Sequence, residues 1–133
     1  MIREFTVRTR SRSEFVDITS PVSDVIAQTG TVNGICQVYI PHTTAGVTIN
    51  ENADPDVTRD IISALDETIP WNNRYRHAEG NSAAHIKASL MGFSATIPVS
   101  DGRLVLGTWQ CIYFCEFDGP RTRRVVVNLI DRS

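Results

Sequence analysis

A chain of 133 residues, 41% hydrophobic and 21% charged, is long enough for one hydrophobic core and too ordinary in composition to stay disordered. Its apolar runs, such as Val125-Val126-Val127, are a few residues long against the roughly 20 that a membrane-spanning helix needs, so no bilayer crossing is expected. The formal net charge is −2, and the thirteen basic residues are twelve arginines and Lys87, without the net basic charge or neighbouring aromatics of a generic nucleic-acid binder.

Residues 2–10 set Ile2, Glu4 and Thr6 against Arg3, Phe5 and Val7, which predicts a half-buried first strand. That beginning has no secretory apolar stretch, so the mature protein is expected to start at its first residues. Residues 14–18 read as the strand's partner. Ser20 as cap and Pro21 open a short helix with Val22, Val25 and Ile26 on one face, stopping at Gly30. Asn33-Gly34 is a turn signal, Ile35–Ile40 a strand halted by Pro41, and Val47–Asn50 the next strand, with the polar loop His42-Thr43-Thr44-Ala45 between them.

Asp54-Pro55 supplies a cap and a first-turn proline to an amphipathic helix with Val57, Ile61 and Leu65 on its stripe, ending before Pro70. Residues 71–79 follow neither period and read as a loop. Asn81 caps a further helix in which Ala83, Ile86 and Leu90 are expected to pack inward. Thr96–Val99 and Arg103–Leu106 make a hairpin through Ser100-Asp101-Gly102, and Pro98 hints at a sheet edge. Gln110–Phe117 and Thr122–Ile130 close the chain as strands joined through Asp118-Gly119-Pro120. Strands outnumber and frame the helices, which implies an α+β fold: a β-rich sandwich or barrel-like sheet with two to three helices, in one domain spanning residues 1–133.

Cys36, Cys111 and Cys115 are an odd count without closely spaced pairs, and Cys111 and Cys115 lie too far apart along an extended strand to bridge. They read as reduced core residues, which implies a cytoplasmic location. Two arginine groups, Arg3, Arg8, Arg10 and Arg12 near the start and Arg121, Arg123 and Arg124 near the end, either bind phosphate or form a solvated face. Gln110 and Glu116 share a strand face with Ile112 and Phe114. A carboxylate at the end of an apolar face needs a partner, for which Arg121 or Arg123 is at hand.

The three histidines follow one another in the element order: His42 at a strand end, His77 in a loop and His85 on the next helix, with Ser82 and Ser89 at helical spacing from it. They form either a functional pocket or a hydrogen-bonding cluster. Neutral imidazoles suit a divalent metal, Mg or Zn, and three protein ligands would leave one position for water or substrate. Phosphate-loop, dinucleotide and Gly-x-Ser-x-Gly signatures are absent. His77-Ala78-Glu79 mimics the opening of a zinc deaminase motif but lacks the Pro-Cys-x-x-Cys half.

Four blocks resemble the YjbQ family, whose members are sometimes described as secondary thiamine-phosphate synthases. They are His42-Thr-Thr-Ala-Gly-Val-Thr-Ile-Asn-Glu-Asn52; Tyr75-Arg-His77 with Asn81-Ser-Ala-Ala-His85-Ile-Lys-Ala-Ser89-Leu-Met-Gly92; Leu106-Gly-Thr-Trp-Gln110; and Glu116-Phe-Asp-Gly-Pro-Arg121-Thr-Arg123. The loop between His77 and Asn81 is shorter than the family pattern. The resemblance implies a β-rich α+β fold, a homotrimer, and a pocket lined by His42, His77 and His85. It also implies weak thiamine-phosphate synthase activity, joining a pyrimidine diphosphate to a thiazole phosphate with loss of pyrophosphate.

Together with the residue reading, it puts His42, Glu51, His77 and His85 in catalytic roles, the three histidines also being candidate metal ligands. Thr43, Thr44, Asn50, Asn81, Ser89, Gln110, Arg121 and Arg123 are the candidate binders of a small phosphorylated substrate. Two alternatives stand beside this enzyme: a metal-dependent hydrolase with Glu51 or Glu79 as base, and a non-catalytic metal- or ligand-binding module.

Overall fold

Two antiparallel sheets carry the architecture of this computed structural model, which describes residues 1–31 and 33–132. The elements run β1 (Ile2–Arg8), β2 (Glu14–Asp17), α1 (Thr19–Thr29), β3 (Gly34–Tyr39), β4 (Ala45–Glu51), α2 (Pro55–Thr68), α3 (Ser82–Met91), β5 (Ser94–Ser100), β6 (Arg103–Leu104), β7 (Gln110–Glu116) and β8 (Thr122–Asp131). One sheet has five strands in the order β1-β8-β3-β5-β6, the other three in the order β2-β7-β4. The fold is α+β.

The strand β7 explains the layering. Its residues are buried on both faces, because Ile112 and Phe114 point to the core between the sheets while Cys111, Tyr113 and Cys115 point the other way. The inter-sheet core joins them to Val47 of β4, to Cys36, Val38, Ile97, Val125 and Val127 of the larger sheet, and to Val22, Val25 and Ile26 of α1. The second cluster packs Phe15, Tyr113 and Phe117 beneath Ala84 and Ala88 of α3, with Leu65 of α2 and Trp71 at its margin. All three cysteines are free and buried. Among the described residues, no helix is long and apolar enough to cross a membrane.

Several details depart from the sequence pattern. β2 does not pair with β1: it joins β7 in the smaller sheet, Phe15 facing Cys115, while β1 pairs with β8, Phe5 facing Val125. Period-two alternation identifies a strand but not its neighbour, and the residues between β1 and β2 carry the chain from one sheet to the other. Ser20 lies inside α1; the first helical N–H, that of Thr19, is taken by Asp17 Oδ1 at 2.9 Å. Strand pairing ends at Leu104 rather than Leu106, with one further bond from Val105 N to Pro98 O at 2.8 Å.

In α3 the buried residues are Ala83, Ala84, Lys87 and Ala88, whereas Ile86 and Leu90 are 39% and 62% exposed. Gly46 sets that face. A side chain there would lie 2.6 Å from Gly92 O, so bare backbone lets α3 sit directly on β4, with Ala88 and the Cβ of Met91 against it. α2 buries none of its side chains completely, although its stripe leans on the second cluster through Leu65.

Candidate functional site

The chain crosses from the larger sheet to the smaller one between β3 and β4, and the site is built at that crossing. Ile40 N still donates to Phe93 O at 2.8 Å; Pro41 then ends the pairing, and residues 41–44 carry the chain to β4. The crossing loop is pinned from below. Arg123, on the inward face of β8, donates from Nε to Glu116 Oε1 at 2.8 Å and from Nη2 to Glu116 Oε2 and to Thr44 Oγ1, the last at 2.8 Å. Thr9 Oγ1 donates to Glu116 Oε1 at 2.8 Å, and the N–H groups of Phe117 and Asp118 donate to Oε2.

Every atom of this carboxylate is therefore occupied, and the pair bridges the two sheets. Burial pushes the Glu116 carboxyl upward, but Arg123, the Asp118 N–H and Thr9 outweigh it, and the net result is a group held below its ordinary 4.5. Of the two arginines considered as its partner, Arg123 takes the role. Arg121 instead donates to Asp118, from Nε to the backbone carbonyl at 2.9 Å and from Nη2 to Oδ2 at 3.1 Å.

On this base rests a polar cavity of about 480 Å³. Its floor is His42, Thr43 and Thr44; His77 and Glu79 come from the 71–80 loop, Asn81 and His85 from the start of α3, and Asp118, Arg121 and Arg123 from the turn into β8. The His77 and His85 rings meet edge to face with centroids 5.3 Å apart. His77 Nε2 lies 4.0 Å from Glu79 Oε1. Asn81 Nδ2 donates to Asp118 Oδ2 at 2.9 Å, while its Oδ1 is buried with no partner among the described residues.

His42 is the most constrained of the three histidines. Its Nε2 accepts the Arg124 backbone N–H at 2.8 Å, so the ring proton belongs on Nδ1 and the group can offer a donor but not that lone pair. Burial and then the Arg123 charge lower its pKa below 6.5, in keeping with a neutral ring.

The remaining candidates lie elsewhere. Ser89 borders an adjoining hollow with His42, His85 and Phe93, and its hydroxyl donates to His85 O at 2.9 Å. Glu51, Asn50 and Gln110 are not brought to the cavity within this chain. β4 pairs with β7 so that Ala45 faces Glu116 and Glu51 faces Gln110, placing Glu51 six residues, or roughly 20 Å, from the histidine end. At that far end the Asn50 amide oxygen accepts Glu51 N, and Gln110 Oε1 accepts Gly107 N, both at 2.8 Å. Glu51 stands at the strand's exit, whereas the histidine loop lies at its entrance.

A three-histidine metal centre needs three nitrogens free to converge within about 2.1 Å of one point. His42 has already committed Nε2, and among the described residues no group of three His, Cys, Asp or Glu side chains is arranged to hold a metal ion. The Mg or Zn site expected from the histidines is not formed by this arrangement. Asp118, which orients both Asn81 and Arg121, is the residue that sequence reasoning passed over as a turn former. Its position three before Arg121, with a proline between, was the available signal.

The fold and cavity define a two-sheet α+β protein with a histidine-lined polar pocket at the sheet junction. The chain belongs to the YjbQ family: the family model described as UPF0047 protein YjbQ-like matches residues 3–132. It is 50% identical over 131 residues to the UPF0047 protein YugU of Bacillus subtilis, covering 98% of this chain and 99% of that one. The UPF0047 protein MJ1081 of Methanocaldococcus jannaschii is 52% identical over 130 residues, covering 98% and 94%. Among solved structures, an uncharacterised YjbQ/UPF0047 protein of Clostridium acetobutylicum superimposes with a TM-score of 0.95 at 55% identity, covering 96% of this chain and 99% of that one. The hypothetical protein APE1520 of Aeropyrum pernix also gives 0.95, at 40% identity with 99% of both chains covered.

Proposed function

We propose that this chain is an enzyme acting on a small phosphorylated molecule held in the histidine cavity. The observation that carries the reading is the convergence of His42, His77 and His85 with Arg121 and Asn81 around one polar space of about 480 Å³, a size suited to a small ligand. Arg121 uses two of its five donors on Asp118 and keeps the rest for a phosphate at the rim. His42, with Nδ1–H left to offer, is a fixed donor. The facing pair His77 and His85 is then the acid–base element, one ring able to hand a proton to a departing oxygen while the other lies against it.

Charge limits the ligand. Arg121 and Arg123 are matched by Asp118 and Glu116, and Glu79 adds a further negative charge, so an incoming anion meets no net positive field and is held by directed donors, the free N–H groups of Arg121 and His42 Nδ1–H. The specific reaction we propose is the one the family resemblance implies: a pyrimidine diphosphate is joined to a thiazole phosphate and pyrophosphate leaves. The working unit proposed is a homotrimer, for which light scattering is the direct check.

The reaction is tested by incubating the protein with both substrates and following released pyrophosphate by phosphorus NMR. Turnover by the native chain, lost in His85→Ala and His77→Ala, supports the proposal. Absence of pyrophosphate with the native chain defeats the synthase reading, and retained binding of the diphosphate would then leave a ligand-binding module.

A further inference from the structure

A second cavity, of about 460 Å³, opens on the other side of α3. Lys87 follows His85 by two residues, which at 3.6 residues per turn places it about 200° round the helix, away from the histidines. It is the chain's one lysine and is 3% exposed. An alkyl side chain would pack this position without the desolvation cost of withdrawing an ammonium from water.

The neighbours do not use up its charge. Among the described residues Nζ has one hydrogen-bond partner, Asp66, whose side chain is 56% exposed, so two of its three donors remain. Across the cavity the Arg12 guanidinium stacks on Trp71, 4.1 Å from the ring centroid. That contact holds the guanidinium at the ring, and none of its N–H groups has an acceptor among the described residues. The hydroxyls of Ser11 and Ser13 complete the wall. Two cations, one partly hydrated carboxylate and two serines give a lining with a net positive charge, unlike the histidine cavity, where carboxylates match or outnumber the arginines.

We infer that this cavity is a second binding site, for a phosphate-type oxyanion held between the Arg12 fork and Lys87 Nζ with Ser11 and Ser13 on its remaining oxygens. The oxyanion is either free phosphate or the phosphate of a small ester. The inference stands apart from the synthase reading, since none of its residues lines the histidine cavity.

Trp71 is a built-in reporter. The chain has two tryptophans, so Trp109→Phe leaves Trp71 as the sole tryptophan, read by excitation selective for indole over tyrosine. In that background, inorganic phosphate and ribose 5-phosphate are titrated at constant ionic strength against sodium chloride. The expected result is a saturable change in Trp71 emission with at least one of the two, the tighter one identifying the source. Its Kd rises at least tenfold in Arg12→Gln and in Lys87→Met and stays the same in His85→Ala. Arg12 is exposed, so its variant folds even if Lys87→Met does not. A response that never saturates, that persists in Arg12→Gln, or that disappears in His85→Ala overturns the site.

Discussion

His42 Nε2 and the Arg124 backbone N–H, 2.8 Å apart, tie the loop after β3 to the first residues of β8, and with them the floor of the cavity to its wall. Protonating the ring would consume the lone pair that Arg124 needs, and burial and the Arg123 charge oppose it as well. His42 is therefore expected to remain neutral with its proton on Nδ1 at pH 6.5, which long-range nitrogen–proton NMR correlations read directly. Because its folded pKa lies below the unfolded one, the associated stability is present above 6.5 and is lost as pH falls through the folded value. A His42 resonance titrating above 6.5 would contradict this.

The Glu116–Arg123 pair makes a stability prediction of the opposite kind to a surface bridge. Both side chains are buried and Arg123 also holds Thr44, so Glu116→Gln leaves an uncompensated guanidinium between the sheets. The expected loss is about 3–5 kcal/mol by denaturant unfolding. Replacing both partners, Glu116→Leu with Arg123→Met, should cost clearly less than either single change, since no charge is then stranded. In the native protein the depressed Glu116 pKa adds stability above 4.5 that is lost on acidification through its lower folded value.

Much of this was legible in the sequence where a residue's role is local. The strands of the inter-sheet core, the cap at Asp54, the stop at Gly30 and the buried cysteines all follow from short-range pattern. Sheet membership did not, because β2 and β7 come together only through chain crossings that alternation does not encode. Hydrophobicity alone turns Ile86 and Leu90 inward, yet the close approach at Gly46 selects the alanine face instead. In the same way, the strand that carries Glu51 was recognisable, while the direction in which it leaves the site depended on its pairing with β7.

Asp54 tests the local part of that reading. Its carboxylate accepts Asp56 N at 2.9 Å, with Pro55 behind it, and α2 has no fully buried side chain. Asp54→Ala should cost about 1 kcal/mol. Since the ties of α2 to the rest of the fold, Leu65 in the second cluster and Asp66 paired with Lys87, lie toward its C-terminal end, the loss should show first as faster amide exchange in residues 55–60, with the histidine cavity unaffected. Uniform acceleration of exchange across both sheets would mean that α2 is instead an integral part of the cooperative core.

Gly46→Ala addresses how the cavity's two halves are held in register. The added Cβ would meet Gly92 O at 2.6 Å, Met91 Cβ at 3.1 Å and Ala88 O at 3.3 Å, and none of these three atoms can be moved by a rotamer change. The same stretch is tied down by Val47 N donating to Gly92 O at 3.1 Å, so α3 must lift or tilt from β4 to admit a methyl group. Overpacking of this kind costs about 1–3 kcal/mol. The consequence reaches the site, because α3 carries His85 while the loop leading into β4 carries His42. Gly80→Ala is the contrasting change. Its φ of +76° brings backbone strain, but the new Cβ has open space and does not press on α3. Gly46→Ala is thus expected to shift the His42 and His85 ring resonances together and weaken diphosphate binding, whereas Gly80→Ala should act mainly on the loop that carries His77. If Gly46→Ala lowers stability yet leaves both rings and binding unchanged, the packing of α3 on β4 does not set the geometry of the cavity.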